Sequence, residues 1–168
     1  IKSGDIFGRL LLKYEINMQS VMLLRSFILK NNLSFPEGFQ YGPDYDLFMT
    51  IALKCKVGVL GDLIVKTRIH SNALTHKKLH CVRDELKSTI DRLVIGDSKL
   101  KKRFDKELKQ AYAKFEYYQA VYFISIGKFK NARRILQRIL RIRLAYLILY
   151  VIILLPLPIK FVMKLLNR

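Results

Sequence analysis

Two aspartates, Asp44 and Asp46, follow the Gly42-Pro43 turn directly in the stretch QYGPDYDLFMTIAL, and an apolar run comes after them. A carboxylate held within hydrogen-bond reach of a hydroxyl group can act as a general base and take its proton. The first turn of a helix suits this chemistry, because the positive end of the helix dipole favours a charged carboxylate. The same dipole gives such aspartates a purely structural role, so the spacing alone leaves both interpretations open.

The histidines suggest a second kind of chemistry, which is metal binding. His76 and His80 are four residues apart, a spacing that puts both side chains on one face of a helix, and His70 and Cys81 are near them in sequence. No cysteine pair at CxxC spacing accompanies them, which argues against a structural zinc site. The sequence has no Walker phosphate loop, no GxGxxG and no nucleophilic triad.

Mixed helices and strands are predicted for the first 76 residues. Residues 5–31 indicate two short helices, or a helix and a strand, and residues 32–42 are typical of a loop. Pro43 suits the first position of a helix, which we expect to run to about Lys54. The segment KVGVLGDLIVKTRIH alternates between apolar and polar residues and predicts two strands joined near Gly61.

Helices are predicted for the second half of the chain. Two apolar stripes recur at helical spacing on either side of Gly127, and they consist of Phe104, Leu108, Ala111, Phe115, Tyr118 and Tyr122, then Phe129, Ala132, Leu136 and Ile139. We expect a plain helical hairpin here. The alternative is a single tetratricopeptide-like repeat, which lacks the neighbouring repeats that such units need.

The order of these motifs resembles that of the family 2 glycosyltransferases, which are inverting enzymes of the GT-A fold. The similar features are aromatic-Gly-x-Asp-Tyr-Asp-Leu at a helix start and the later segment RIHSNALT, and the resemblance covers about residues 3–76. It implies an α/β fold, a partial GT-A domain whose nucleotide-binding half and DxD motif precede Ile1. Asp44-Tyr45-Asp46 has the letters of a DxD motif, but the sequence places it at a helix start rather than after a strand.

The resemblance also implies roles for individual residues. Asp44 matches the general base, which takes the proton of an acceptor hydroxyl as that oxygen attacks the anomeric carbon of a nucleotide-sugar. His70 matches a ligand of a divalent metal, Mn²⁺ or Mg²⁺, whose other ligands are expected mostly in the missing half; a hydrogen-bonded histidine at a strand end is the alternative. The residues implied to bind substrate are Tyr41, Asp46, Arg68 and Ser20. Pro43 departs from the family pattern, since a glutamate usually precedes this aspartate.

The charge of the chain is uneven along its length. The 168 residues carry a net charge of +18, of which residues 1–76 contribute 9 Lys and Arg against 6 Asp and Glu, and residues 77–168 contribute 22 against 7. A nearly neutral front and a strongly basic back indicate a substrate site followed by a contact with something anionic. Two cysteines and no disulfide pattern favour a reducing compartment.

Residues 144–159 form an uncharged apolar run with basic residues on both sides. As a helix it would be about 24 Å long, shorter than the hydrocarbon core of a bilayer, which is about 30 Å. We therefore expect an anchor that lies in the interface on the cytoplasmic face of the cell membrane. A single membrane pass and a buried core helix are the alternatives.

These observations predict three parts: a catalytic part over residues 1–78, a helical hairpin over 79–142 and a basic hydrophobic anchor over 143–168. The expected function is inverting sugar transfer in the synthesis of a surface polysaccharide or other glycan, by a protein of which this chain is an inactive piece. The expected partners are a nucleotide-sugar donor, a glycan or lipid-linked acceptor and an anionic membrane, with no nucleic acid. The alternatives are a nucleic-acid-binding protein, suggested by the basic second half, and a non-catalytic helical scaffold.

Overall fold

The computed structural model describes residues 3–62, 64–66, 78–155 and 158–166. Within these ranges the chain forms α-helices, with a single 3₁₀ turn over Met18–Ser20. The helices are α1 (Phe7–Leu12), α2 (Arg25–Lys30), α3 (Pro43–Lys54), α4 (Leu79–Gly96), α5 (Lys99–Arg103), α6 (Asp105–Ser125), α7 (Phe129–Ile139), α8 (Leu144–Ile152) and α9 (Ile159–Leu166).

The predicted α/β fold is wrong, because the described residues are helical and contain no β-strand. The alternating segment after α3 makes one isolated antiparallel bridge, between Gly4 and Val57, through backbone hydrogen bonds of 2.8 and 2.9 Å. A short strand pair without a sheet to pack on is marginal in water, and no further strand joins it within the described ranges. The end of the predicted strand pair, with Arg68 and His70, lies outside the described residues.

The helix that carries the two aspartates is confirmed with the predicted bounds, Pro43–Lys54. Pro43 occupies the first turn, where its missing N–H would have no partner in any helix. After that turn α3 is buried on almost every side, from Tyr45 to Ala52. The middle of the helix is therefore held inside the molecule, and its N-terminal end opens onto a cavity.

Helix α3 shares one hydrophobic core with α1, α4 and α6. The largest completely buried side chains of this core are Ile6, Phe7, Met49, Val82, Ile90 and Leu100. Gly8 on α1 lets α6 come close, because a Cβ there would lie 2.9 Å from the ring of Phe104. This core joins residues on both sides of the domain boundary expected after residue 78, and that boundary stays a prediction.

A second core lies at the other end of α6, where α7, α8 and α9 pack on it. It contains Ala120, Ile124, Ala132, Leu136, Tyr146, Leu149 and Val162. Gly127 forms the turn between α6 and α7 with φ at +75°, a left-handed conformation that glycine adopts at no steric cost. The rings of Tyr117 and Tyr146 stack at 5.2 Å and attach α8 to α6. None of the described helices is long and apolar enough to cross a membrane.

Candidate functional site

A cavity of about 360 Å³ lies between α1, α3, α4 and α6, at the N-terminal end of α3. Its polar lining consists of Tyr14, Tyr41, Asp44, Lys114 and Tyr118, and its apolar lining includes Leu10, Leu11, Leu86 and Phe115. Pockets that bind small molecules have this composition, a mostly apolar and aromatic wall with a few convergent polar groups. Of the predicted site residues, Asp44 and Tyr41 face this cavity.

The backbone before α3 is fixed by a carboxylate from α4. Glu85 accepts hydrogen bonds from the backbone N–H groups of Gln40, Tyr41 and Gly42, at 2.8, 2.8 and 2.9 Å. Helix α3 has no side-chain cap of its own, so Glu85 satisfies amides that would otherwise lack a partner at its start. Gly42 is needed at this contact, because a Cβ there would lie 3.1 Å from Leu86. The clamp holds Tyr41 and Asp44 in place.

The Asp44 carboxylate is half-buried and accepts one hydrogen bond among the described residues, from the Tyr14 hydroxyl at 3.4 Å. Burial raises the pKa of Tyr14 well above its ordinary value, and the nearby Asp44 charge and the hydrogen bond raise it further. Burial also raises the pKa of Tyr41, and the charges of Asp44 and Glu85 add to the effect. Both hydroxyls therefore stay protonated at neutral pH and remain available as donors beside the carboxylate.

Asp46 sits only two residues further on, but its carboxylate has different surroundings. It is 7% exposed, and Arg92 Nη2 on α4 lies 2.8 and 2.9 Å from its two oxygens. Thr89 donates a further hydrogen bond to Oδ1 at 2.8 Å, and Arg92 also contacts Thr50. This carboxylate is occupied by an ion pair inside the protein, and it ties α3 to α4.

Lys114 on α6 supplies a positive charge to the cavity that contains Asp44. Its ammonium group lies 5.8 Å from the centre of the Tyr118 ring and, within the described part of the chain, pairs with no carboxylate. Burial lowers the pKa of Lys114, and the positive charges of Arg143 and Lys13 lower it further. The cavity thus presents a carboxylate and an uncompensated ammonium to whatever enters it.

The other predicted site residues are not brought to this cavity by the described structure. Ser20 is exposed in the 3₁₀ turn and donates its hydroxyl to the Asn17 carbonyl at 2.9 Å. Arg68 and His70 lie outside the described residues, as does His76. Searched on its own, the described part of the chain contains no group of three or more His, Cys, Asp or Glu side chains that could hold a metal ion. The metal site implied by the resemblance stays a prediction.

Three important residues were missed because they come from distant parts of the sequence. Glu85 and Arg92 act from α4, more than 40 positions away from the backbone and side chain that they contact. Lys114 borders the apolar stripe of α6, three residues after Ala111 and four before Tyr118. A lysine beside an apolar stripe indicates a charge placed at the edge of a core, and that signal was available in the sequence.

A second candidate surface lies on α8, α9 and the turn between them. One side of α8 is packed in the core, and the other carries an exposed stripe at helical spacing, with Leu144 71% and Val151 51% exposed. We call this stripe the apolar face; its members on α8 are Leu144, Leu147, Ile148 and Val151, and Leu154, Leu155 and Phe161 further along the chain are exposed as well. Three exposed arginines, Arg138, Arg141 and Arg143, precede it directly.

No protein-family model matches the sequence, and no curated protein or solved structure is similar to it. The resemblance to family 2 glycosyltransferases therefore stays a prediction from the motifs of residues 3–76.

Proposed function

We propose that this chain provides the acceptor side of an inverting glycosyltransferase, with Asp44 as the general base. The observation that carries the proposal is the position of Asp44: of the two aspartates in the motif, this one opens onto a tyrosine-lined cavity with a single long hydrogen bond. The Asp46 carboxylate, in contrast, forms an ion pair with Arg92. The residue that the motif assigns to catalysis is thus the one whose carboxylate can reach a ligand.

The composition of the cavity suits a sugar hydroxyl. Tyrosine rings offer flat apolar surfaces together with hydroxyl groups that form hydrogen bonds, and three tyrosine side chains besides the buried Tyr45 line this space. The protonated hydroxyl of Tyr14 orients Asp44 from one side and leaves the carboxylate free to accept a further hydrogen bond from the acceptor. A general base needs this reach to the proton that it removes.

In the proposed reaction, the acceptor oxygen forms a bond to the anomeric carbon of the donor sugar. The bond between that carbon and the diphosphate breaks, and the electron pair leaves with the nucleoside diphosphate. The hydroxyl proton passes to Asp44, which later releases it to water. Attack from the side opposite the leaving group inverts the configuration at the anomeric carbon.

The test is sugar transfer by the longest polypeptide that contains this chain, with nucleotide-sugar donors and Mn²⁺ or Mg²⁺. We expect Asp44→Asn to reduce the transfer rate by about 10²- to 10⁴-fold, the usual contribution of a general base, with an unchanged circular dichroism spectrum. The matched control is Asp84→Asn on the exposed side of α4, which should keep the wild-type rate. Full activity of Asp44→Asn would overturn the assignment.

We further propose that the apolar face docks onto an anionic membrane surface. Exposed aliphatic side chains alone would suit many partners, but the adjacent arginines select for one that is apolar inside and negatively charged outside. Each cation near an anionic leaflet contributes about 1 kcal/mol to binding. A helix with an apolar side and basic flanks is typical of a segment that lies in the membrane interface.

Vesicle flotation tests this docking with the 168-residue chain. We expect it to float with vesicles that contain phosphatidylglycerol and to stay below vesicles of phosphatidylcholine alone. Replacing Ile148 and Val151 by Asp should weaken binding at least tenfold, because both side chains belong to the apolar face. The matched control replaces Leu24 and Leu60 by Asp. These leucines are 73% and 80% exposed in other parts of the molecule, so the control should bind vesicles as the wild type does.

Two results would contradict the membrane proposal in favour of the alternatives. Equal loss of flotation in both double variants would mean that the apolar face is not the docking site. Tight, salt-dependent binding of duplex DNA or RNA that is unaffected by the Ile148 and Val151 substitutions would favour a nucleic-acid-binding role.

A further inference from the structure

The cavity beside Asp44 contains a charge that the proposed proton transfer does not use. Lys114 reaches the same space from α6, and within the described residues it has a tyrosine ring as neighbour but no carboxylate. A half-buried ammonium without a counter-ion is costly, and proteins usually pair such a group or use it to bind an anion.

A second positive charge, outside the lining of the cavity, lies near Lys114. Arg143, immediately before α8, is close enough to act on Lys114 electrostatically, and it donates a hydrogen bond to the neutral Gln110 at 2.9 Å. Lys13 also acts on Lys114, but it is exposed and paired with Glu15. Lys114 is therefore acted on by a second cation and pairs with no carboxylate within the described residues, and an anion bound at Lys114 would offset this repulsion.

We propose that the cavity binds a sugar that carries an anionic group, a phosphate or a carboxylate, with the anion at Lys114 and a hydroxyl group at Asp44. This inference rests on the proposed function for the role of Asp44 and adds the chemical class of the acceptor. A hydroxyl donor fits the carboxylate, an anion fits the ammonium, and the tyrosine rings that line the same cavity fit the body of the sugar.

Calorimetric titration of the 168-residue chain at fixed ionic strength tests the proposal with glucose, glucose 6-phosphate, glucuronate and inorganic phosphate. We expect at least one of the two anionic sugars to bind about tenfold or more tightly than glucose, a difference of about 1.4 kcal/mol. Tighter binding of glucose 6-phosphate alone would indicate that the anionic group of the natural sugar is a phosphate. Tighter binding of glucuronate alone would indicate a carboxylate. Inorganic phosphate should bind more weakly than the preferred sugar, because it lacks the sugar ring and the alcohol hydroxyl groups that would contact the tyrosine rings and Asp44.

Variants at position 114 make the test specific. Lys114→Met should remove the preference for the anionic sugar, Lys114→Arg should keep it, and Lys106→Met on the exposed side of α6 should leave it unchanged. The inference is overturned if glucose binds as well as the anionic sugars, if no sugar binds, if inorganic phosphate binds as tightly as the preferred sugar, or if Lys114→Met keeps the preference. Because binding is measured rather than transfer, these outcomes are independent of whether Asp44 acts as a base.

Discussion

The two ends of the molecule treat their charges in opposite ways. Up to Glu116, several cations are paired with carboxylates: the described ion pairs include Asp46–Arg92, Glu116–Arg83, Asp91–Lys87 and Asp5–Arg103. After Glu116 the sequence contains Lys and Arg but neither Asp nor Glu. The front of the molecule therefore neutralises part of its charge internally, whereas the segment after Glu116 has no carboxylate of its own to do so.

This difference separates structural charges from functional ones. A carboxylate such as Asp46, which is buried and paired, contributes to holding two helices together. The cations that we connect with a ligand, Lys114 in the cavity and the arginines beside the apolar face, pair with no carboxylate within the described residues. Asp44, with its one long hydrogen bond, resembles this second group although it lies in the front of the molecule.

The largest expected effect concerns the back of the molecule. Replacing Arg138, Arg141 and Arg143 by Gln should weaken binding to anionic vesicles by about 100-fold or more, because each removes about 1 kcal/mol. The same charge change at the exposed Lys99, Lys101 and Lys102 in the front should have little effect in the flotation assay. Equal losses in both triple variants would show that total charge, rather than its position, controls binding.

The buried ion pair gives the next largest effect. Asp46→Asn should lower the free energy of unfolding by about 2 kcal/mol, since it leaves Arg92 without its counter-ion while that side chain is only half-exposed. Urea denaturation measures the change. Asp44→Asn, which removes the charge from a carboxylate with one long hydrogen bond, should cost less than half as much. A larger loss for Asp44 than for Asp46 would reverse the roles assigned to them.

The Glu85 clamp should have a somewhat smaller effect on stability. Glu85→Gln keeps the size of the side chain but replaces the charged carboxylate that accepts hydrogen bonds from three backbone N–H groups. We therefore expect the free energy of unfolding to fall by about 1.5 kcal/mol. Amide hydrogen exchange should increase at Tyr41 and Gly42. Unchanged protection of these amides would mean that the clamp does not hold the loop, and Ser88→Ala on the same helix is the control.

The smallest effect on stability concerns the Lys87–Asp91 ion pair at low pH. Desolvation acts to raise the pKa of Asp91, but hydrogen bonds from Lys87 and Tyr112 outweigh it and hold the pKa below its ordinary value. Because the pKa of this carboxylate is lower in the folded protein than in the unfolded one, its ionisation stabilises the fold at pH values above the ordinary aspartate pKa of about 3.9. This stabilisation is lost as the pH falls through the pKa of the folded state. Lys87→Met should therefore reduce the loss of stability between pH 6 and pH 3, and Lys106→Met should not. An identical pH dependence in all three proteins would contradict the pairing.

Local patterns predicted the helices well. The bounds of α3 follow from Pro43 at its start and the aspartates in its first turn. The apolar stripe predicted from Phe104 to Tyr122 lies on α6 from Leu108 onward, with Leu108, Ala111 and Phe115 buried, whereas Phe104 stands just before the helix; Gly127 follows its end as expected. These features depend on neighbours within one or two turns of the chain, which is the range that periodicity reports.

Local sequence patterns predicted the strands wrongly and did not identify most of the residues that line the cavity. The alternation of apolar and polar residues after α3 indicated strands, but a strand is stable only when other strands pair with it. Within the described residues, Val57 forms a single isolated bridge, to Gly4. Asp44 and Tyr41 were identified because the motif contains both. Tyr14, Lys114 and Glu85 reach the site only through the packing of α1, α4 and α6 around α3, which no local pattern encodes.

The most direct measurement of the central claim is the rate of sugar transfer in two variants compared side by side, Asp44→Asn and Asp46→Asn, at a temperature where both are folded. We expect Asp44→Asn to lose transfer while its melting temperature falls less than that of Asp46→Asn, and Asp46→Asn to melt earlier while it keeps measurable transfer. The account is contradicted if Asp44→Asn transfers sugar at the wild-type rate.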